Sequence, residues 1–374
     1  MSRSRDFGAA ASSLAAPSSA NNGYNHVVDT TQASGWSFSP SGAAYKNYIA
    51  NGAFDVFQRS IVSGTSVTAT SSPGYILDRW TNDTGGGNGS ITYSRQSVTP
   101  GSIPGIELPY HYRLNQTTAG SGSSYLTALW QRIEDVRTLA GQTVTLSFYA
   151  KSDTAGRTIR TECYQVFGTG GSGSVVCDVY EPHTLTTSWQ RYTRTFTIPS
   201  VSGKTIASDS TLWVVLSDKA INTVHTTDIT GVQLEIGSVA TPFVRQGGHV
   251  MGETQMAQRY YYRDTLEKHM VYARDTNYWF VTKEFPVRMK SNPSFNHNVT
   301  TKVGNTGVFP GTAGQMGFYA NGWTATNATA VACNSDGITT DHGTFYFSGW
   351  NATVGTTGSL QSNALTYFEW SADT

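Results

Sequence analysis

Aromatic rings set among amides and glycines near the end of the sequence are the side chains best suited to binding a ligand. Trp323 lies within residues 320–325, a polar, glycine-containing segment without strand alternation, where a buried ring is less expected. Such a ring stacks on the apolar face of a sugar, while amides bond the sugar hydroxyls. We therefore predict a glycan-binding site at four residues: Tyr319, Asn321, Trp323 and Trp350. For each ring, as for Trp279 and Tyr346, the alternative is burial in the core of a small β-domain.

Signatures of catalysis are missing from the sequence. It contains no Gly-x-Ser-x-Gly nucleophile elbow, no His-Glu-x-x-His helix and no phosphate-binding loop. Glu134 and Asp135 are adjacent, but neighbours in a strand point to opposite faces and do not form the carboxylate pair of a glycosidase. We expect the protein not to be an enzyme and to need no cofactor.

The three cysteines do not predict a disulfide framework or a metal site. Cys163 and Cys177 flank the glycine-rich turn at 168–173 and face each other across a predicted hairpin. Whether the two thiols are paired, or are buried as small reduced side chains, stays open.

Composition predicts a β-rich protein that does not bind nucleic acid. Charged residues make up 13% of the 374-residue chain, about half the usual share, while glycine, tyrosine, tryptophan and phenylalanine are abundant. The formal net charge is zero, so phosphate capture by clustered cations is not expected, and a neutral or mixed polysaccharide suits this charge. We find no apolar run long enough to span a membrane and no signal peptide, and therefore expect no membrane contact.

Strands with period-2 alternation run through the first two thirds of the chain. Residues 143–150 place Val, Leu, Phe and Ala on one face, and residues 190–198 alternate in the same way. Glycine- and proline-containing turns separate such segments, which predicts an antiparallel sandwich. Shorter strand candidates are 91–95, 111–116, 159–166, 175–180 and 212–216. The only helical candidates are 129–139 and 251–258.

The last third of the sequence predicts a second, smaller β-domain. Residues 278–285 and 286–289 are typical of a strand, a kink at Pro286 and a further strand. Residues 344–350 and 365–370 add two aromatic-rich strands. No internal repeat relates this part of the chain to the first part.

Three ordered segments resemble the β-sandwich module of bacteriophage tail-fibre and related virion proteins. They are 51–59 (NGAFDVFQR), 77–80 (LDRW) and 228–263, which includes DITGVQLEIG and the run QRYYYR. Val232, Leu234 and Ile236 alternate with Gln233 and Glu235, which predicts a half-buried strand. The resemblance covers roughly residues 46–265, and it implies a jelly roll like that of carbohydrate-binding modules.

This resemblance implies an organisation for the whole chain. We expect an all-β protein: an extended N-terminal arm (1–45), a jelly-roll β-sandwich (46–248), a junction (249–265) and a smaller C-terminal β-domain (266–374). The first residues resemble the starts of some phage fibre proteins, which implies that Arg3, Arg5 and Phe7 help to anchor the arm to the virion. An unattached, disordered tail is the alternative for this segment.

The run Tyr260-Tyr261-Tyr262 predicts an interface inside the protein. Alternation places Tyr260 and Tyr262 on one face and Tyr261 on the other, so large groups are expected on both sides. We interpret this run as a junction between domains or between protomers of a homotrimer.

The function that these observations favour is that of a phage virion fibre. We expect the protein to be made in the host cytoplasm, to lie on the tail or particle surface and to adsorb to a host envelope polysaccharide. Its partners would be two further copies of the chain and other virion proteins, of the tail, neck or baseplate, bound through the arm. The alternatives are a purely structural decoration, neck fibre or adaptor protein, and a polysaccharide depolymerase.

Overall fold

The structure is a computed structural model that divides the chain into two units, residues 1–46 and residues 47–374. It describes residues 24–28, 36–40, 46–59, 67–68, 74–84, 89–120, 127–218, 222–264, 268–274, 278–297, 301–303, 315–319, 333–348, 357–362 and 368–372. In the first unit, β1 (Tyr24–Val28) pairs antiparallel with β2 (Trp36–Pro40), a ladder that the sequence did not predict. The attachment of residues 1–45 to a virion stays a prediction, as do the boundaries at 248 and 265.

Twelve strands between residues 67 and 236 form a sandwich of two six-stranded antiparallel sheets. The strands are β3 (Val67–Thr68), β4 (Gly74–Leu77), β5 (Trp80–Thr84), β6 (Ser90–Ser97), β7 (Tyr110–Thr118), β8 (Thr127–Glu134), β9 (Thr143–Ser152), β10 (Thr158–Val166), β11 (Val175–Thr184), β12 (Gln190–Thr197), β13 (Thr211–Asp218) and β14 (His225–Ile236). The front sheet has the order β11-β10-β13-β8-β5-β4, and the back sheet has the order β12-β9-β14-β7-β6-β3. The predicted antiparallel sandwich is confirmed.

One helix is described, and ten further strands follow it. They are α1 (Val250–Gln258), β15 (Tyr261–Asp264), β16 (Lys268–Ala273), β17 (Tyr278–Glu284), β18 (Ser294–His297), β19 (Thr301–Val303), β20 (Gln315–Tyr319), β21 (Cys333–Ile338), β22 (His342–Ser348), β23 (Thr357–Ser362) and β24 (Phe368–Ser371). These strands build a three-stranded sheet, β15-β24-β18, and a seven-stranded sheet, β19-β20-β23-β16-β17-β22-β21. Helix α1 confirms the predicted helix at 251–258.

The sandwich core lies where the inward faces of the front and back sheets meet. In β9, Val144, Leu146, Phe148 and Ala150 are all fully buried, as their alternation predicted. Trp80 is also fully buried, and its indole Nε1 donates to the carbonyl of Asn51 at 2.9 Å. Burial of this ring and satisfaction of its N–H group explain why a tryptophan fits there.

Strand β14 differs from its predicted half-exposed form, because both of its faces are buried. Gln233 and Glu235 have exposed fractions of 0% and 1%, whereas Ile236 is 50% exposed. Gln233 Oε1 accepts from the backbone N–H of Val244 at 2.8 Å, and Glu235 Oε1 accepts from the backbone N–H of Thr241 at 2.8 Å. The chain that leaves the strand folds back over these polar side chains and satisfies them, which alternation alone does not reveal.

The helix predicted over 129–139 is wrong. Residues 127–134 form strand β8, which pairs with β13 and β5, and residues 136–140 form turns. Leu129, Ile133 and Val136 have the i, i+4, i+7 spacing of a helix, but the first two face the core from a strand. Sheet pairing on both sides overrides the local pattern.

The second strand predicted after Pro286 is also wrong. Strand β17 ends at Glu284, and residues 285–291 contain no strand. The backbone N–H groups of Phe285 and Met289 donate to the carbonyls of Asp341 and Thr340, at 2.9 and 2.7 Å. Proline therefore lies outside the sheet, where its missing N–H group leaves no ladder bond unmade.

The segments that carry the family resemblance contact one another directly. The side-chain amide of Asn51 donates to the carbonyl of Asp78 at 3.0 Å, and one carboxylate oxygen of Asp78 accepts from the backbone N–H of Gln58 at 2.6 Å. Gln58 Nε2 also donates to the carbonyl of Tyr261 at 3.1 Å. These four residues come from all three segments, so the ordered segments form one interlocked unit.

Gly52 is the position in this unit with the least room. Its carbonyl accepts from the N–H of Val232 at 2.9 Å, and a Cβ atom at Gly52 would lie 2.1 Å from the carbonyl oxygen of Val232. A methyl group there forces two backbone segments apart.

Gly52→Ala is expected to lower the free energy of unfolding by about 2 kcal/mol or more, measured by urea unfolding. Gly74→Ala is the control, because open space surrounds Gly74. Equal stability of both variants would contradict the close approach.

Cys163 and Cys177, on the paired strands β10 and β11, are free thiols. The interaction between the two thiols raises the pKa of Cys163 and lowers that of Cys177. Among the described residues, no helix is long and apolar enough to cross a membrane. Within that same part of the chain, no cluster of His, Cys, Asp and Glu is arranged to hold a metal ion.

Candidate functional site

A row of aromatic and cationic side chains crosses the front sheet on the side opposite the core. The strand register pairs Tyr164 with Trp213, and Trp213 with Arg132. Directly opposed residues in a sheet share a face, and the neighbours Leu212 and Val214 belong to the core. Tyr164, Trp213 and Arg132 therefore lie side by side on the outer surface, which we call the front face.

A second row on the front face packs against the first. It contains Trp130, whose ring centroid lies 4.5 Å from that of Trp213 at an interplanar angle of 56°. The guanidinium carbon of Arg132 lies 4.9 Å from the centroid of Trp130 and 5.5 Å from that of Trp213. Trp130 is only 6% exposed, whereas Trp213 is half-buried and presents part of its ring to solvent. The pair therefore forms a rigid aromatic platform that a cation holds in place.

Hydrogen bonds fix the polar groups that border this platform. Trp213 Nε1 donates to Thr211 Oγ1 at 2.8 Å, which sets the orientation of the indole. Glu162 accepts from the hydroxyl of Tyr164 at 2.6 Å and from Ser217 Oγ at 2.7 Å. The hydroxyl, carboxylate and indole edges are thus presented in a defined geometry, as a binding surface requires.

A cavity of about 320 Å³ lies at one end of the platform. Its lining residues are Arg132, Val166, Gly168, Thr169, Asp209, Thr211 and Trp213. Asp209 accepts from Thr169 Oγ1 at 2.7 Å and from the backbone N–H of Thr169, and these bonds lower the pKa of Asp209. The volume matches the lower end of small-ligand pockets, and a half-buried indole forms one wall.

A second cavity, of about 300 Å³, shares Arg132 with the first. Glu134 lies in its lining and accepts from the hydroxyl of Tyr260 at 2.5 Å and from Arg259 Nη2 at 3.2 Å. Burial alone would raise the pKa of Glu134, but these two hydrogen bonds lower it. Arg79 also lines this cavity, with its guanidinium carbon 3.3 Å from the ring centroid of Tyr260.

The two carboxyl groups that line these cavities both have lowered pKa values. A glycosidase needs one carboxyl group with a raised pKa as its general acid, whereas the pKa values of Asp209 and Glu134 are lowered. Burial does raise the pKa of Glu253, but that side chain is bonded to the backbone N–H groups of Asn51 and Gly247 and lines neither cavity. The arrangement offers stacking and hydrogen bonding to a sugar.

The sequence-predicted glycan site lies largely outside the described residues. Asn321, Trp323 and Trp350 fall there, as do Arg3, Arg5 and Phe7 of the arm, so these assignments stay predictions. Tyr319 is the last residue of β20, and its side chain is likewise not described.

Of the two further candidate rings, Trp279 is a core residue. It is fully buried in the core of the C-terminal sheets, which confirms the alternative of a core residue. The outer side of the seven-stranded sheet is a second aromatic surface, on which Tyr272 and Tyr278 are 42% and 37% exposed. Tyr346 meets Tyr278 edge-on at 5.2 Å.

The three tyrosines of the junction contact both the sandwich and the C-terminal sheets. Tyr260 bonds Glu134 of the sandwich, whereas Tyr261 donates to Glu369 Oε2 of β24 at 2.5 Å. Tyr262 stacks on Trp370 with ring centroids 5.7 Å apart. The run therefore connects the sandwich to the C-terminal sheets within one chain. A role of these residues between protomers stays a prediction.

Sequence reasoning missed the front-face residues for identifiable reasons. Trp130 lies in the segment interpreted as helical, and Trp213 lies in the continuous apolar run 212–216, which suggests a strand buried on both faces. Once β8 is recognised as a strand, Ala128, Trp130 and Arg132 alternate with Leu129 and Ile133. That alternation is the signal that would have placed an aromatic ring and a cation on an outer face.

No protein-family model matches the sequence, and the search of curated proteins finds no match. Solved structures with a similar fold include the enzymatically active domain of tailspike protein 4 of bacteriophage CBA120, at 13% identity and a TM-score of 0.33, over 52% of this chain and 22% of that one. The N-terminal cellulose-binding domain of a Cellulomonas fimi β-1,4-glucanase is 16% identical, with a TM-score of 0.26 over 37% and 88%. The family 11 carbohydrate-binding module of a Clostridium thermocellum cellulase is 13% identical, with a TM-score of 0.28 over 46% and 99%. Structural similarity at these TM-scores does not indicate a function. The residues of the site are the basis for the function proposed below.

Proposed function

We propose that this chain is a fibre protein of a bacteriophage virion and that its sandwich binds a bacterial envelope glycan. The carrying observation is the row Tyr164, Trp213 and Arg132 on the front face, beside a cavity of about 320 Å³. A half-buried indole next to fixed hydroxyl, carboxylate and guanidinium groups suits a sugar ring, which has an apolar face and a polar edge.

The fibre assignment is supported by the segments that resemble phage virion proteins. In this chain the 51–59, 77–80 and 228–263 segments bond to one another across the sandwich. Segments that contact one another in this way fold as one module, which supports the proposal. The proposal includes a homotrimer, because several weak sugar sites presented together gain avidity.

Two experiments test the proposal. Fluorescently labelled full-length protein is expected to bind cells of a bacterial panel in a strain-dependent way, without releasing reducing sugar. Deletion of residues 1–45 is expected to leave cell binding intact and to abolish incorporation into particles, because the arm would make the virion contact. Incorporation without binding of any strain would instead favour the purely structural alternative, and sugar release would favour the depolymerase.

A further inference from the structure

Two arginines, Arg79 and Arg132, lie at the cavities with their guanidinium groups against aromatic rings. Arg79 is 5% exposed, and it donates to the carbonyl of Arg132 and stacks on Tyr260. Arg132 is half-buried and contacts Trp130 and Trp213 through its cationic face. Among the described residues, neither group forms an ion pair, and the Nε atoms of both are buried without a hydrogen-bond acceptor. Arg79 is thus a buried cation, and Arg132 a half-buried one, without an ion-pair partner among the described residues, whereas buried charges in proteins are ordinarily paired.

The charge around these two arginines is positive. Four described cationic side chains meet there: Arg79, Arg132, Arg259 and Lys290. The carboxylates that line the two cavities are Glu134, already paired with Arg259, and Asp209, already bonded to Thr169.

The pKa of Lys290 is lowered in this concentration of positive charge. Burial lowers the pKa of Lys290, and the nearby Arg79, Arg132 and Arg259 lower it further, although Glu134 acts in the opposite direction. The ammonium group lies 6.0 Å from the ring centroid of Tyr260, which also carries the stacked Arg79. A group with negative charge in this place would relieve the repulsion.

We infer that the ligand of the front face is an anionic glycan, whose carboxylate or phosphate oxygens bind Arg132 and Arg79 while a sugar ring stacks on Trp213. This inference rests on the proposed glycan-binding function and names its ligand class. A guanidinium stacked on aromatic rings keeps its planar N–H groups at its edge, which matches the geometry of an oxyacid. The formal net charge of the whole chain is zero and does not reveal this site, because the positive charge is concentrated in one place.

The test is an array of bacterial capsular and lipopolysaccharide glycans in three forms: native, carboxyl-reduced and dephosphorylated. Wild-type protein is expected to bind native acidic glycans and to lose roughly 10-fold or more in affinity when the charged group is removed. The two treatments distinguish uronic or other carboxylate sugars from phosphorylated ones.

Substitutions test whether the cationic side chains around the cavities cause the preference for charged glycans. Arg132→Gln is expected to bind the native glycan as weakly as the wild type binds its neutralised form, while Arg132→Lys keeps part of the preference. Arg137→Gln is the matched control, because Arg137 is exposed, already paired with Asp135 at 3.1 Å, and loses the same charge. If Arg132→Gln does not fold, Lys290→Gln takes its place, because it removes one positive charge from the same group of cationic side chains.

The possible outcomes distinguish failure of the anionic-ligand inference from failure of the proposed glycan-binding function. Equal binding of native and neutralised glycans, still weakened by Trp213→Ala, would overturn the anionic ligand and keep the glycan site. Charge-dependent binding that neither Arg132→Gln nor Lys290→Gln reduces would also overturn the inference. Absence of binding to every glycan would overturn the inference and the proposed function together.

Discussion

Trp213→Ala is expected to weaken binding to envelope polysaccharide by roughly 1–3 kcal/mol, or about 5- to 150-fold. The indole forms a wall of the cavity of about 320 Å³, and its ring is oriented by Thr211 and backed by Trp130. Because Trp213 is half-buried, its loss should cost less stability than the roughly 3–5 kcal/mol typical of a core tryptophan. Titration of labelled protein on immobilised polysaccharide, together with thermal unfolding, measures both quantities.

Trp323→Ala is the natural comparison, because the sequence alone places the glycan site there. We expect Trp323→Ala to bind like the wild type if the sandwich carries the site. Unchanged binding of Trp213→Ala, with lost binding of Trp323→Ala at an unchanged melting temperature, would move the site to the C-terminal part of the chain.

Asp228→Asn is expected to destabilise the sandwich by about 2 kcal/mol or more, because it removes the buried carboxylate that compensates the partly exposed cations Arg113 and Lys151. Asp228 is 3% exposed and lies at the start of the segment that most closely resembles the phage module. Arg113 donates to both of its carboxylate oxygens at 2.7 and 2.8 Å, and Lys151 Nζ and His111 Nε2 lie 3.7 and 3.4 Å away. Urea unfolding of the variant and the wild type at neutral pH measures the difference.

The same carboxylate makes stability depend on acid. Burial would raise the pKa of Asp228, but the hydrogen bonds from Arg113 and the nearby His111 outweigh it and lower the pKa to about 2. A lowered pKa stabilises the folded state above the unfolded value near 4, and this contribution of about 2 kcal/mol is lost as the pH falls from about 4 to 2.

Asp228→Asn should lack this part of the acid dependence. Asp135→Asn, at an exposed ion pair with Arg137, is the control and should retain it. A variant of Asp228 with wild-type stability and the full acid transition would contradict the buried charge cluster.

The strands were predictable where apolar and polar side chains alternate along the sequence. Residues 143–150 and 190–198 alternate cleanly and form β9 and β12, with only small changes at their ends. Alternation fails at Gln233 and Glu235, since a returning segment buries the second face. It fails at residues 129–139 because a short apolar spacing fits a helix as well as a strand.

The candidate site was not predictable, because its residues come from strands that only the sheet register brings together. Trp130, Arg132 and Trp213 are separated by up to 83 positions and are aligned by the pairing of β8 with β13. Lys290 and Tyr260 join them from beyond the sandwich. Local propensity and spacing contain no information on such pairings, whereas the interlocked segments were found from their order along the chain.

Hydroxyl-radical footprinting of the full-length protein, with and without saturating envelope polysaccharide, tests the central claim most directly. The account predicts that modification of Trp213 and Tyr164 falls when polysaccharide binds, while modification of the exposed Tyr272 and Tyr278 of the seven-stranded sheet stays unchanged. Protection of Tyr272 and Tyr278, with undiminished modification of Trp213, would contradict a glycan site on the front face.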